Sequence, residues 1–394
     1  MTEKRKSALA ARRTHTPYDL FRTFVPTTGN TAHDYSNTIE LWDAAPKYSV
    51  SARKQAMLRD EKGNLVPCKI PFNYNPKGYP NAIPCLLEIQ PASIEVEPGV
   101  YKQFFPSTDE ELVEEVLRKI FTDQRYGAHA PAASESWVRF TLRAIQRELR
   151  ERGKTRSIPE VRRSIEILSR AVLVLHVKDN ARLTYRNPIL TNVTDVSREQ
   201  YLNDPAALWQ ASLPLLISIA INKLAYRQFN YATLMALGNS LQRWLFKRFS
   251  HYYTYATYIK PYCFSFSFVE LNSGLLHHSR KERNRKSIEA ALQSLSTSQQ
   301  DPCNPGQNRP PVLMKWEQEV IYKKKGRGQA IADVKYTVWP SVYLVADIKA
   351  ANARLRDDRN RLQIVPSDDR SPFIDRPPAV QAPLDARAAK KGGW

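Results

Sequence analysis

The sequence predicts an α+β chain made of two consecutive blocks of the same grammar, three helices followed by a β-hairpin. Apolar residues recur at helical spacing within each block, and β-branched runs flank a turn at the end of each. At 394 residues the chain is also too long for one ordinary core, which suggests two domains of moderate size plus tails. Three helices and a hairpin is the winged-helix order, so two tandem winged-helix domains are expected, the first over 46–225 and the second over 226–363. Residues 1–45 are polar and basic and read as a mobile arm. Residues 364–394 are rich in Pro and charge and read as a disordered tail.

In the first block, Cys68 to Tyr74, Ile83 to Gln90 and Ser93 to Glu97 have the β-branched content of short strands. Ser107-Thr108-Asp109-Glu110-Glu111 caps a helix whose apolar face is Leu112, Val116 and Ile120, with Val113 and Leu117 beside them. Ser134 to about Arg152 reads as a second helix with Trp137, Phe140, Ile145 and Leu149 inward, ended by Gly153. Ser157-Ile158-Pro159-Glu160 opens a third, with Ser at the N-cap and Pro in the first turn. Val172 to Val177 and Arg182 to Tyr185 form the hairpin.

The second block repeats the order. Tyr231 to Tyr253 reads as one long amphipathic helix. Phe264 to Phe268 alternates like a strand, and Val269 to Leu276 reads as a short helix. Ser279 to about Ser296 is the third helix, with Ile288, Ala291, Leu292 and Leu295 as its buried stripe. Glu319 to Tyr322 and Ile331 to Val338 are strands joined by the glycine-containing basic turn Lys323 to Gln329. Trp339 to about Arg361 reads as helical.

Charge decides the class of partner. Lys and Arg total 59 against 39 Asp and Glu, a net charge of +20. Such an excess repels itself across a folded surface but attracts a polyanion through counterion release. The hydrophobic fraction of 42% fits a globular protein. Cys68, Cys85, Cys263 and Cys303 contain no CxxC pair, so neither a zinc ribbon nor a secreted disulfide framework is expected. The N-terminal sequence has no apolar core of a signal peptide. Leu208 to Ala225, interrupted by Pro214, Asn222 and Lys223, is too broken for a span of about 20 apolar residues. A cytoplasmic location is expected.

The cations fall on the elements that a winged helix turns toward DNA. The third helix of the second block begins Ser279-Arg280-Lys281-Glu282-Arg283-Asn284-Arg285-Lys286. Arg bonds guanine bidentately and Asn bonds adenine, so Arg280, Arg283, Asn284 and Ser287 are candidates for bases, and Lys281, Arg285 and Lys286 for phosphates. Lys323, Lys324, Lys325 and Arg327 at the hairpin tip would lie beside the backbone or minor groove. The first block offers Arg152, Lys154, Thr155, Arg156, Ser157, Arg162 and Arg163. There Glu148, Glu151, Glu160 and Glu166 dilute the charge, which leaves looser DNA binding or dimer contacts as its role.

The arrangement resembles the iteron-binding replication initiators of bacterial plasmids, which are tandem winged-helix proteins. The first stretches that carry the resemblance are TDEELVEEVLRKIF and SWVRFTLRAIQRELRERGKTRSIPEVRRSIEIL. The second are LAYRQFNYATLMALGNSLQRWLFKRFSHYY and FSFSFVELNSGLLHHSRKERNRKSIEAALQSL with a basic hairpin after them. The resemblance covers roughly residues 100 to 360. It implies binding to repeated double-stranded origin sites, local opening with the host initiator and helicase, and repression of its own promoter; the dimer contacts read for the first block would make the chain a homodimer. A transcriptional repressor or partition regulator on the same fold is the alternative.

Catalysis is not expected. His277 and His278 are adjacent at a helix end, whereas rolling-circle nickases place two metal-binding histidines around an apolar residue on a strand. Tyr252, Tyr253, Tyr255 and Tyr258 supply hydroxyls, but such a cluster usually serves core or interface. No GxxxxGK[ST] motif is present, so no ATP hydrolysis is expected. Asp357-Asp358 and Asp368-Asp369 read as solvated charge, and no cofactor or metal is expected.

Overall fold

The structure, a computed structural model, describes residues 35–76, 81–123, 127–131, 133–178, 184–196, 208–300, 306–322 and 331–362. The expected tail over 364–394 lies outside the described residues. The expected arm over 1–45 is corrected at its end: β1 (Tyr35–Ile39) and α1 (Glu40–Ala44) are ordered elements. Every residue of β1 is buried, because it pairs antiparallel with β12 (Tyr226–Asn230) of the second block.

After the short helix α2 (Ala52–Met57), the strands read from the Pro-punctuated region appear where they are expected. They are β2 (Cys68–Tyr74), β3 (Ile83–Gln90) and β4 (Ala92–Glu97), and β4 turns into β5 (Val100–Phe104). Next come α3 (Thr108–Asp123), β6 (Gly127–Ala130), β7 (Glu135–Phe140), α4 (Leu142–Glu151), α5 (Ile158–Arg170), β8 (Val172–Val177) and β9 (Thr184–Pro188). The helix expected from Ser134 to Arg152 is therefore half strand. Ser136, Val138 and Phe140 alternate inward on β7, and Thr141 starts the helix by accepting a hydrogen bond from the amide of Ala144. Alternation won over the weaker helical spacing. The β8–β9 hairpin is not a separate wing. It completes the four-stranded antiparallel sheet β2-β3-β8-β9. A second sheet, β10-β11-β7-β6, takes in β10 (Thr191–Thr194) and β11 (Trp209–Ser212), and α6 (Leu215–Asn222) follows.

The second block runs β12, α7 (Tyr231–Ala236), α8 (Ser240–Tyr252), β13 (Tyr262–Ser265), α9 (Phe266–Ser273) and α10 (Lys281–Leu295). Two short strands, β14 (Gln299–Gln300) and β15 (Asn308–Arg309), lead to β16 (Leu313–Tyr322), β17 (Ile331–Pro340) and α11 (Val342–Leu362). The single helix expected from Tyr231 to Tyr253 is broken at 237–239, where Asn239 caps α8 through the amide of Gln242. The strand expected over Phe264 to Phe268 ends at Ser265, whose hydroxyl accepts from the amide of Phe268 and starts α9. Both corrections have one cause: a local side-chain acceptor satisfies the free amides of a helix start and fixes the boundary there. The order α8, β13, α9, α10, β16, β17 closes into one antiparallel sheet with β17 in the middle, β13-β17-β16.

The apolar core is one continuous cluster reaching from Ile39 to Ile348, so the border expected at 225/226 falls inside it. A smaller cluster joins Ala92 and Ile94 of β4 to Ile167 and Ala171 of α5. No helix among the described residues is long and apolar enough to cross a membrane.

Between the blocks lies a feature the pattern of α3 did not predict. Read as amphipathic, α3 is in fact buried nearly all round, with Glu110, Glu111, Glu114, Glu115 and Arg118 among its buried residues. Arg118 donates to both oxygens of Asp43 on α1, at 2.8 and 3.0 Å, and to the carbonyl of Asn37 on β1. Lys247 of α8 binds Asp43 at 3.1 Å and Glu115. Arg243 of α8 binds Glu111 at 2.7 Å, and the indole of Trp42 donates to Glu114 at 2.6 Å. Burial alone would push the Asp43 carboxyl up, but Arg118 and Lys247 hold it well below the usual carboxylate range. Burial is likewise outweighed at Glu111 by Arg243 and at Glu114 by Lys47 and Arg118, so both are lowered. Glu115 goes the other way: burial, helped by Asp43 and Glu114, outweighs Lys247 and Arg118 and raises it. Such a network adds little net stability over an apolar equivalent, but removing one member strands a buried charge. It holds α1, α3 and α8 in a fixed relation.

Candidate nucleic-acid interface

The candidate site is built on α10 and the β16–β17 hairpin. Ile288, Ala291, Leu292 and Leu295 bury one face of α10, the stripe expected from the sequence. That orientation leaves Arg280, Lys281, Arg283 and Lys286 exposed. The carbonyl of Arg280 accepts from the amides of Arg283 and Asn284, so the helix starts just where the cations begin. Arg280 and Arg283 have no ion-pair partner among the described residues. Lys281 lies 3.2 Å from Glu270 and Lys286 lies 3.3 Å from Glu282, both in solvent. Exposed pairs of this kind contribute about 0–1 kcal/mol and yield readily to a phosphate.

Three of the expected contacts are otherwise engaged. Asn284, expected at adenine, is buried. Its Oδ1 accepts from the amide of His278 and its Nδ2 donates to the carbonyl of His278, each at 2.9 Å. Its amide is thus spent on the turn before α10, and the base-reading expectation is corrected. Arg285 is half-buried and paired with Glu289 at 3.2 Å on the side facing the sheet. The Ser287 hydroxyl donates to the carbonyl of Arg283 at 3.0 Å. Sequence spacing placed all three near the start of the helix but could not show which way each side chain turns.

Contacts along α10 give its direction against the sheet. Near its C-terminal end, Gln293 accepts from the indole of Trp316 on β16 at 3.4 Å. In the middle, the charges of Glu289 and Arg285 act on the buried hydroxyl of Tyr336 on β17, which burial and then Glu289 push up. At the N-terminal end, Lys281 sits 5.9 Å from the ring of Phe266. The next residue, Ser267, donates its amide at 3.0 Å and its hydroxyl to the carboxylate of Asp333. Burial opposes ionisation of Asp333, but these bonds prevail and lower its pKa. Trp316, Tyr336 and Asp333 follow one another toward the hairpin turn. The cationic start of α10 and the free end of the hairpin therefore lie at the same end of the sheet. Lys323, Lys324, Lys325 and Arg327 belong to the segment that joins the strands and lie outside the described residues.

In the first block most candidates serve the fold. Lys154 donates to the carbonyl of Leu237 at 3.1 Å, and burial, then Arg243, lowers its pKa. Arg156 pairs with Asp109. Ser157 and Glu160 form a capping box on α5. Arg162 reaches toward Glu166 and Asp195, at 3.6 and 3.8 Å, and stands 5.7 Å from the ring of Trp209. Arg163 is exposed without an ion-pair partner among the described residues. The β4–β5 hairpin covers the C-terminal half of α5 through Ala92 and Ile94, and so narrows the surface left to meet a groove.

The tyrosines weighed for strand cleavage have unlike surroundings. Burial pushes the Tyr252 hydroxyl up, and the nearby Glu40 charge adds to it. Tyr253 is pushed by burial to about 12 and donates to the carbonyl of Lys260. Tyr255 and Tyr258 are exposed on the loop before β13. Among the described residues no three His, Cys, Asp or Glu side chains gather as a metal ion would need.

No known family and no curated protein matches the sequence. Two crystal structures of domains 2 and 3 of RctB are matched among solved structures. One is covered over 99% of its chain and 76% of this one, with 13% identity and a TM-score of 0.40. The other is covered over 97% of its chain and 75% of this one, with 12% identity and a TM-score of 0.39. Overlap this loose assigns neither an activity nor a partner to this chain.

Proposed function

We propose that this chain is a sequence-specific double-stranded DNA-binding protein that initiates replication at repeated origin sites. The observation that carries the reading is the placement of the cationic start of α10 and the free end of the β16–β17 hairpin at one end of a three-stranded sheet. In a winged-helix arrangement that end meets duplex DNA, with the helix start in the major groove and the hairpin against the backbone. Arg283 is assigned to base edges, and Arg280, Lys281 and Lys286 to phosphates. Lys323, Lys324, Lys325 and Arg327 supply charge from the hairpin tip.

The first block contributes less to reading bases. With Lys154, Arg156 and Ser157 engaged in the fold, Arg162 and Arg163 remain for backbone contact. Its better role is support, or contact with a second copy of the chain. The host initiator and helicase are the further partners that the resemblance implies. The chain works in the cytoplasm by binding and strand opening, with no covalent step, cofactor or metal.

The test is a nuclease footprint of the full chain on the DNA that flanks its gene. Protection of several direct repeats at regular spacing supports the initiator. A single protected palindrome would instead assign a repressor, and no protection would remove the DNA-binding reading altogether.

A further inference from the structure

The β16–β17 hairpin carries its inner, apolar face beyond the end of the core. On that side Val334, Tyr336 and Val338 of β17 are buried, and Trp316 and Val320 of β16 pack against the core. One step further out, Tyr322 lies on the same side as Val320 by strand alternation. Ile331 stands directly opposite Tyr322 across a register shift. These two side chains are 48% and 47% exposed. The trailing pair belongs to the side that faces α10, since Trp316 on that side reaches Gln293. Glu317 and Glu319 alternate to the other side, near Lys315 and Lys335. These two strand carboxylates thus point away from the helix, and the α10 carboxylate on the inner side, Glu289, is paired with Arg285. Asp333, tied to Ser267, fixes the aim of the hairpin.

We propose that Tyr322 and Ile331 form an apolar wedge that enters the minor groove next to the α10 site and unstacks one base step. The proposal rests on the duplex-binding reading. Charge selects the occupant: Arg280, Lys281, Arg283 and Lys286 stand exposed at the start of α10, at the same end of the sheet as the two wedge residues. Phosphates on either side of a minor groove match that pattern, whereas a second copy presenting the same cationic end of its sheet is repelled by it. Aliphatic side chains inserted between base steps kink duplexes by about 20–90°, most easily at pyrimidine–purine steps such as TpA. A wedge of this kind acts on linear DNA within the protected site, apart from any opening of a distant AT-rich segment.

The experiment compares the full-length wild type, the double variant Y322S/I331S and Y322F on a linear fragment of the DNA flanking the gene. Nuclease protection reports binding, and permanganate oxidation reports unstacked thymines inside the protected site. Circular permutation of that site reports its bend. Both side chains are exposed, so unchanged thermal melting verifies that the variants fold. The wild type is expected to bend the site and expose thymines within it. Y322S/I331S is expected to protect the same site at a protein concentration within about threefold, with oxidation reduced about fivefold or more and the bend reduced. Y322F, which keeps the ring, should match the wild type. Equal oxidation and bend for Y322S/I331S, or a wild type that protects a site left straight and unreactive, would overturn the wedge while leaving duplex binding intact. A DNA-free dimer of the wild type that Y322S/I331S dissolves would overturn it in favour of a second copy as occupant. Failure of the wild type to protect any site would overturn duplex binding and the wedge with it.

Discussion

Replacing Arg118 with Met tests how the two blocks are held together. The side chain is almost wholly buried and gives two hydrogen bonds to Asp43, at 2.8 and 3.0 Å, and one to the carbonyl of Asn37. Methionine restores part of the volume but none of the donors. Asp43 keeps Lys247 at 3.1 Å, yet it loses the neighbour that most lowers its pKa, and Glu115 loses a neighbouring cation. Breaking one partner out of a buried pair costs about 3–5 kcal/mol. In a chain of this size each kcal/mol moves the melting temperature by about 1.5 °C, so a fall of about 5–8 °C is expected. Thermal melting followed by circular dichroism measures it. A second variant, D43N, combined with R118M, should recover part of the loss, since the stranded carboxylate is then gone. A loss below about 1 kcal/mol for R118M would show that Arg118 does not act as a buried tie, because it is the size expected for an exposed, solvent-screened pair.

Asn284→Ala should lower stability by about 1–3 kcal/mol, because the backbone of His278 loses both partners; an unchanged melting temperature with a changed DNA preference would contradict its inward placement. Acidification should unfold the chain as pH falls below about 4, because Asp43, Glu111 and Glu114 are lowered in the fold and their stabilisation is lost as each is protonated. Glu115 is raised, so its protonation favours the fold only above its unfolded value, at pH above about 4; a stability that kept rising as pH fell below about 4 would contradict the lowered values of Asp43, Glu111 and Glu114. Replacing Lys323, Lys324 and Lys325 together by Ala should weaken all duplex binding and flatten its salt dependence by roughly one logarithmic unit per lost phosphate contact. An unchanged slope would remove the hairpin tip from the interface.

The helices α3, α5 and α10 and the strands β8, β16 and β17 were legible in the sequence, and β2 and β3 were readable to the residue, whereas the sheet β10-β11-β7-β6 was not read at all. The reasons are local: alternation along Cys68–Tyr74 and Ile83–Gln90 is strong, and Ser157 with Glu160 is a complete capping signal. Boundaries failed where Thr141, Asn239 and Ser265 accept from amides three residues on, because each is an ordinary polar residue until the backbone folds around it. The buried charges of α3 were illegible for a different reason. Glu111, Glu114, Glu115 and Arg118 resemble a solvated helix face, and only the approach of Asp43, Arg243 and Lys247 from distant segments makes them interior. In the candidate interface, the positions of Arg280 and Arg283 were readable from the apolar period of α10. The inward turn of Asn284 was not, since it depends on the path of the chain at His278.

Arg283→Ala tests whether the start of α10 is the element that reads DNA. The measurement compares wild type and variant on the site protected in the footprint and on a random duplex, at matched salt. Arg283 is exposed and without an ion-pair partner among the described residues, so its removal should leave the fold intact. A base-reading Arg283 should lose about 1–3 kcal/mol on the protected site, with binding to the random duplex nearly unchanged. Equal losses on both duplexes would place Arg283 at a phosphate, and no loss on either would contradict the claim that α10 reads the groove.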